Sequence, residues 1–486
     1  MNFKRNVAAA VLAIGVSGAA QAADINTQGA KDLLSNLTHF LPEDLASSGF
    51  ITVTPADNRY KITYDFAKLL DKMKTTDFII SGLKPFTAFA TPQDGGLWAI
   101  EGNNAFDITA KSKSGPDISL RYALTSSSIN GVFDPALHYM KSMETKGSGV
   151  TISTRTNDNG IQKNDVTIDS IGYTLSSANS SSGAGKLDME MNGGLQSLYD
   201  KISSDTAIFG ELRIGSIGFN ASATALPLKQ INDLIQFVSE HKDAKTLSDS
   251  ESASLKNLLL NLLPVAGSFG ESVSARDISV TTPLGNGGLQ KMDYSLKVDG
   301  PAKATNVNLG LRLEKFKIAS DLVPQDYVAF IPDAAEVQVG VPNLNLAAVS
   351  DVLQRTDFNK PSDPDAGKQA VEDIQKEMFP DGTVTIAYPK VFATSSLYEI
   401  EASGSMRAWL DDKDRVSMKF TVLARDLDKT IAAIQDAAKN QPDLNQVSLG
   451  LMMAKGFAKT DPDGRSRWDI SLADDKSVTI NGQLIK

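Results

Sequence analysis

The run FTVLARDLDKTIAAI, residues 420–434, changes its rhythm in the middle. Met418, Phe420, Val422 and Ala424 fall on every second position, the period of a strand with one apolar face. After Asp426 the apolar residues Leu427, Ile431 and Ile434 come every third or fourth position, the period of a helix with one apolar stripe. A chain that changes period within two residues has no room for a long loop. The strand must leave its sheet and fold directly into a helix that needs nearby apolar cover.

Three other segments repeat the change. Tyr60, Ile62 and Tyr64 lead into Phe66, Leu69, Leu70 and Met73, with Asp65 placed to cap the helix. Phe219, Ala221, Ala223 and Ala225 lead through Pro227 into Leu228, Ile231, Ile235 and Val238. Val337, Val339 and Val341 lead through Pro342-Asn343 into Leu346, Val349 and Leu353. The unequal spacing of these units excludes a fixed-period solenoid. Alternation also marks Phe106, Ile108 and Ala110, then Ile118, Leu120, Tyr122 and Leu124, then Val307, Leu309, Leu311 and Leu313. Turn residues of the kind hairpins use separate the strands: 94–96, 157–160, 285–288, 299–301 and 461–464. The expected fold is α+β: a large twisted antiparallel sheet, or two, with short amphipathic helices packed on one face. Further helices are expected at 27–41, 135–144, 195–203, 255–263 and 367–379. A hairpin tip or a linker is expected at 176–185, and a linker at 359–367.

The first residues read as an export signal. Lys4 and Arg5 precede a short apolar run, 7–16, and Ala20-Gln21-Ala22 forms a small-x-small cleavage site. Cleavage after Ala22 places the mature chain in the periplasm. The run is too short to span a bilayer, and no later segment reaches that length. The expected organisation is a signal peptide at 1–22, an N-terminal sheet-plus-helix half at 23–245 and a C-terminal one at 246–486, the two halves also being readable as one continuous domain. There is no cysteine, so neither disulfides nor a lipid on an N-terminal Cys enter the account. Acidic residues outnumber basic ones, 58 to 48, which opposes nucleic acid as a partner.

The chain offers little catalytic chemistry. His39, His138 and His241 lie far apart, each in a helix-like segment, and lack the spacing of a metal site. Gly215-Ser216-Ile217-Gly218 lacks the leading glycine of a nucleophile elbow, because Ile214 stands there. Ser81-Gly82-Leu83-Lys84 matches S-x-x-K without its companion elements. SSSGAGKL, ending at Leu187, fails as a phosphate loop at both ends. TNDNG lacks the closing acid of a calcium loop, Val166 occupying that place. Asp411, Asp412, Asp414, Asp474 and Asp475 read as turn acids. This reading assigns no catalytic, cofactor-binding or metal-ligating residue.

Two stretches carry a resemblance. RWDISLADDKSVTINGQLIK joins an aromatic-led strand, an acidic turn and a closing strand with Asn481-Gly482; VGVPNLNLAAVSDVL is one of the strand-to-helix units. Together they resemble an uncharacterised alphaproteobacterial periplasmic family, the domain of unknown function 2125. More remotely they are similar to the AsmA-like and YdgA-like envelope proteins. The resemblance covers pattern over most of the chain and particular residues only at 341–346 and 479–483. It implies an envelope role that handles lipid, and it carries over no catalytic residue.

Three functions follow as expectations. The first is a non-enzymatic periplasmic protein without cofactor that binds a lipid or an envelope protein through an apolar groove. The second is a hydrolase of envelope polymers built on two facing carboxylates. The third is an outer-membrane barrel, which the interrupting helices oppose.

Overall fold

The computed structural model describes residues 25–485 apart from 74–76, 158–159, 184, 242–243, 245–246, 264–265, 301–303, 356–363 and 413. The expected export signal and most of the expected linker 359–367 lie outside these residues. The chain opens with α1 (Thr27–Thr38) and α2 (Glu43–Ala46), then β1 (Ile51–Ala56), β2 (Arg59–Tyr64), α3 (Phe66–Met73), β3 (Phe78–Ser81) and β4 (Phe86–Pro92). Six long strands follow: β5 (Trp98–Ser112), β6 (Asp117–Asp134), β7 (Tyr139–Asn157), β8 (Ile161–Asn179), β9 (Leu187–Ser204) and β10 (Ile208–Leu226). Then come α4 (Leu228–Glu240), α5 (Asp249–Leu262), β11 (Ser268–Thr282), β12 (Gly285–Asp299), β13 (Thr305–Glu314), β14 (Lys317–Ser320) and α6 (Gln325–Val328). The last third holds β15 (Ala334–Leu344), α7 (Ala348–Arg355), α8 (Pro364–Met378), β16 (Thr383–Thr394), β17 (Glu399–Trp409) and β18 (Val416–Arg425). It ends with α9 (Leu427–Ala437), α10 (Leu444–Phe457), β19 (Lys459–Thr460), β20 (Ser466–Leu472), β21 (Val478–Ile480) and β22 (Gln483–Leu484).

Every pairing is antiparallel, and the strands form a single meander. β3, β14 and β19 are short side strands on β5, β12 and β20. β10 pairs with β11 from Glu211↔Thr281 to Thr224↔Ser268, so the sheet runs unbroken past residue 245. Among the described residues β1 and β22 do not pair, which leaves the sheet open. The fold is the expected α+β arrangement.

All four changes of rhythm are strand-to-helix joints. Asp65 Oδ1 accepts from the Ala67 N–H at 3.2 Å, the expected cap of α3. At the other three joints one residue takes a left-handed conformation and turns the chain: Ala225 at φ 55°, Asn343 at φ 61° and Asp426 at φ 59°. Asn and Asp tolerate that region; alanine does so at a cost of about 1 kcal/mol. Ala225 is buried, and its N–H donates to Asp188 Oδ1 at 2.8 Å, which holds the turn. Ala225→Val adds a β-branched side chain at a positive φ in a buried place. It is expected to cost about 2 kcal/mol or more in denaturant unfolding, whereas Ala225→Gly is expected to change stability by under ~1 kcal/mol.

The core is best developed at the N-terminal end. Leu33 of α1 is 0% exposed and packs in one cluster with Phe50, Ile62, Ala90 and Phe133. Tyr60 is also 0% exposed; its hydroxyl accepts from the Asn26 N–H at 3.1 Å, and its ring meets Trp98 edge-on at 5.4 Å. At the C-terminal end, Ile431 and Ile434 of α9 are buried as their spacing requires.

Two expected helices are strands. Residues 195–203 belong to β9, and 135–144 form a turn followed by β7. Both errors have one cause. Leu195 and Leu198 are three apart across Ser197, which at φ 56° lies unpaired opposite Gly215 and changes the phase of the alternation without shifting the register. Met140 and Met143 are three apart because the register slips by one between Val132 and Phe133. Either irregularity, the phase change at Ser197 or the bulge in β7, imitates the i, i+3 spacing of a helix within a period-two pattern.

Candidate functional site: the apolar face

Ser197 in β9 is part of a line that crosses the sheet. Thr125, Gly149, Asp169, Ser197, Gly215 and Asp277 are skipped in the register of β6 to β11, and Gly149, Ser197 and Asp277 have positive φ. The alternation changes phase at this line, from Ile168 on one side to Ile171 on the other, and the apolar side chains stay on one face. A Cβ built on Gly147 would lie 3.1 Å from Ile171 Cγ2 and 3.3 Å from Leu124 Cδ1, so residues on opposite sides of the line share that face. One sheet face therefore stays predominantly apolar across the line although the sequence pattern breaks.

One cross-strand row traces that face. Ile129, Thr145, Tyr173, Gly193 and Phe219 pair in succession across β6 to β10. Val273, Tyr294, Leu311, Val337 and Val391 continue through β11, β12, β13, β15 and β16. Ala402, Val422 and Trp468 complete it on β17, β18 and β20. With strands about 4.8 Å apart, the row is roughly 60 Å long. In its middle, among the described residues, the face stays open: Ile171 is 45% exposed, Leu311 42% and Val337 40%. Leu120, Tyr122, Leu309 and Ile400 on the same face are equally open. Folded sheets bury such a face against another layer, and an exposed apolar area of this extent is a feature shared by interaction sites and ligand grooves.

The opposite face is polar. Ser126, Ser148, Ser170, Gln196, Ser216 and Arg276 form one of its rows. Here the sheet curls into a concavity of about 1290 Å³ across β5 to β11. Glu144 is the one carboxylate among its described lining residues, and it lies 2.7 Å from Lys146 Nζ. The two facing acids of a glycosidase do not meet in this hollow. Further along the same face Glu336 is buried, 2.9 Å from Lys390 Nζ and 3.5 Å from Arg312. The hydrogen bond from Lys390 holds its carboxyl below the usual carboxylate range despite burial.

The sequence candidates are scattered. Ser216 sits mid-strand on the polar face, without the strand-to-helix elbow a nucleophile needs. The Ser81 hydroxyl donates to the Thr109 carbonyl. The described residues of SSSGAGKL lie at the tip of the β8–β9 hairpin, closed by the Ser180 N–H on the Lys186 carbonyl. Asp412 and Asp475 accept backbone N–H groups two residues on, as turn acids do. TNDNG falls partly outside the described residues.

The sequence reading missed one pairing. His39 and His138 stack with ring centroids 4.0 Å apart, and Phe40 stands edge-on to His138. His138 occupies the β6–β7 turn at φ 49°, not a helix. Its pKa is pushed down by burial first and by His39 second, against the Asn36 carbonyl and Asp134. A base whose folded pKa is lowered keeps its stabilising contribution above the unfolded value near 6.5 and loses it as pH falls below that value. Between pH 7.5 and 5.5 the wild-type thermal midpoint is expected to fall further than that of His138→Asn, a variant that retains the left-handed turn. His241 is raised, by the Phe237 carbonyl first and Glu251 after it, and acts oppositely and equally in both proteins.

Among the described residues no helix is long and apolar enough to cross a membrane. No family model, curated protein or solved structure matches this chain.

Proposed function

We propose that this chain is a non-enzymatic protein of the Gram-negative periplasm that holds lipid acyl chains along the apolar face of its sheet. One observation carries the reading: a row roughly 60 Å long at ~4.8 Å per strand, apolar but for Thr145 and Gly193, with side chains such as Leu311 and Val337 about 40% exposed in its middle. Covering the remaining area of one such leucine, roughly 70 Å², is worth about 1.5–2 kcal/mol at ~25 cal/mol/Å². Several residues together supply ample affinity for a chain of methylenes, which demands no polar partners. The row is several times longer than one acyl chain, so more than one chain fits along it. The leader-like first residues and the resemblance to lipid-handling envelope proteins agree with this reading.

The test is extraction of protein exported to the periplasm and purified without detergent. Phospholipid or fatty acid at one or more equivalents is the expected result by mass spectrometry. Protein that carries none, and that after delipidation takes up no fluorescent fatty acid, sinks the reading.

A further inference from the structure

We propose that α10 lies on a lipid bilayer and that the apolar pocket beneath it is where acyl chains pass between the bilayer and the sheet face. The lipid half of this statement rests on the function proposed above; the docking half does not. From Leu444 to Ala454, α10 has no charged residue. Its inner side is fixed: Ser448 is buried, and the Ala454 carbonyl accepts from Trp468 Nε1 at 2.7 Å. Its outer side presents Leu449, Met452 and Met453 to solvent. An outward apolar stripe on a surface helix is the pattern of a segment that rests in a membrane interface.

Two features join this stripe to its surroundings. A pocket of about 280 Å³ opens between α10, α9 and α6, with Val447 and Leu451 on one wall and Leu427 and Ile434 on another. Its floor includes Ile400 and Ala424, which pair across β17 and β18 on the apolar face. The surface of α10 is thus continuous with the long apolar row. Leu484 and Ile485 are exposed at the same corner, where Asn481 Nδ2 donates to the Phe457 carbonyl at the end of α10.

Area favours a bilayer over a second copy of the chain. Leu449, Met452, Met453, Leu484 and Ile485 are 44–69% exposed. That amounts to roughly 550 Å², short of the about 800 Å² per partner that a stable interface buries. A bilayer needs no matching shape, and each inserted side chain contributes separately. Lys439 and Lys455 precede and follow the stripe in sequence; each is paired with an exposed carboxylate, Asp436 and Asp428, so they can turn to lipid phosphates at little cost.

The experiment is flotation of the full mature chain with vesicles of phosphatidylethanolamine and phosphatidylglycerol at three to one. The wild type is expected to float, and Leu449→Glu/Met453→Glu to lose at least about tenfold of the bound fraction with unchanged circular dichroism and thermal midpoint. Should that variant not fold, Met453→Gln is expected to give a smaller loss in the same direction. A wild type that stays at the bottom overturns the docking, as does a folded variant that floats equally well. A concentration-dependent dimer in sedimentation that Leu449→Glu/Met453→Glu abolishes also overturns it, in favour of self-association. Fatty acid supplied as monomers separates the two proposals. Uptake without flotation sinks the docking alone, and flotation without uptake sinks the acyl-chain reading alone.

Discussion

Leu311→Lys combined with Val337→Glu is expected to empty the protein of lipid while leaving it folded. The two residues face each other across β13 and β15, so the new charges form a cross-strand pair and the sheet keeps its register. Both are about 40% exposed, so neither substitution buries a charge at a packed site. Surface changes of this kind shift stability by roughly 0.5 kcal/mol or less. Their effect on a bound acyl chain is large. Each removes about 1.5–2 kcal/mol of apolar contact and puts a hydrated charge in the path. The expected loss is at least about a hundredfold in fatty-acid affinity for the pair, read by displacement of a fluorescent fatty acid. A double variant with wild-type affinity and wild-type bound lipid would show that the middle of this face is not where chains lie.

Leu33→Ala is expected to weaken the N-terminal end of the sheet by about 2–5 kcal/mol. Leu33 is wholly buried between α1 and the first strands, and neighbours as rigid as Tyr60 and Trp98 cannot collapse into the space. Leu33→Met keeps the volume and is expected to cost under ~1.5 kcal/mol. Guanidinium unfolding measures both. Limited proteolysis localises the damage: cutting within α1 and α2 should rise in Leu33→Ala before the long strands are touched. Equal stability of the two variants would mean that α1 contributes nothing to holding this end.

The two predictions concern opposite halves of one physical problem. A meander of this width cannot cover its apolar face with short helices alone. Where helices lie on the sheet, at the N-terminal α1 and at the joint into α9, residues such as Leu33, Ile431 and Ile434 are buried. Between them, where β6 to β9 are linked by plain hairpins and no helix is inserted, the face stays open. The function proposed here is a consequence of that shortage of cover.

What the order of residues determined by itself is local. The period-two runs, the four changes of rhythm and the turn tracts are set by neighbours a few positions apart, which is the range over which strand and helix periodicity acts. These residues alone therefore specify strands, the helices that follow them and antiparallel pairing. The same locality misled at 195–203 and 135–144, since an irregular residue shifts a strand's phase and only the pairing with neighbouring strands reveals it, as a bulge in β7 and as a phase change shared by the adjacent strands at Ser197. Tertiary structure alone decided the rest. The skipped line from Thr125 to Asp277 keeps the apolar residues on a single side, His39 meets His138 across nearly a hundred residues of chain, and the concave floor is built from serines on separate strands. Each of these depends on which strand lies beside which, a property of long-range pairing that no short window of sequence contains.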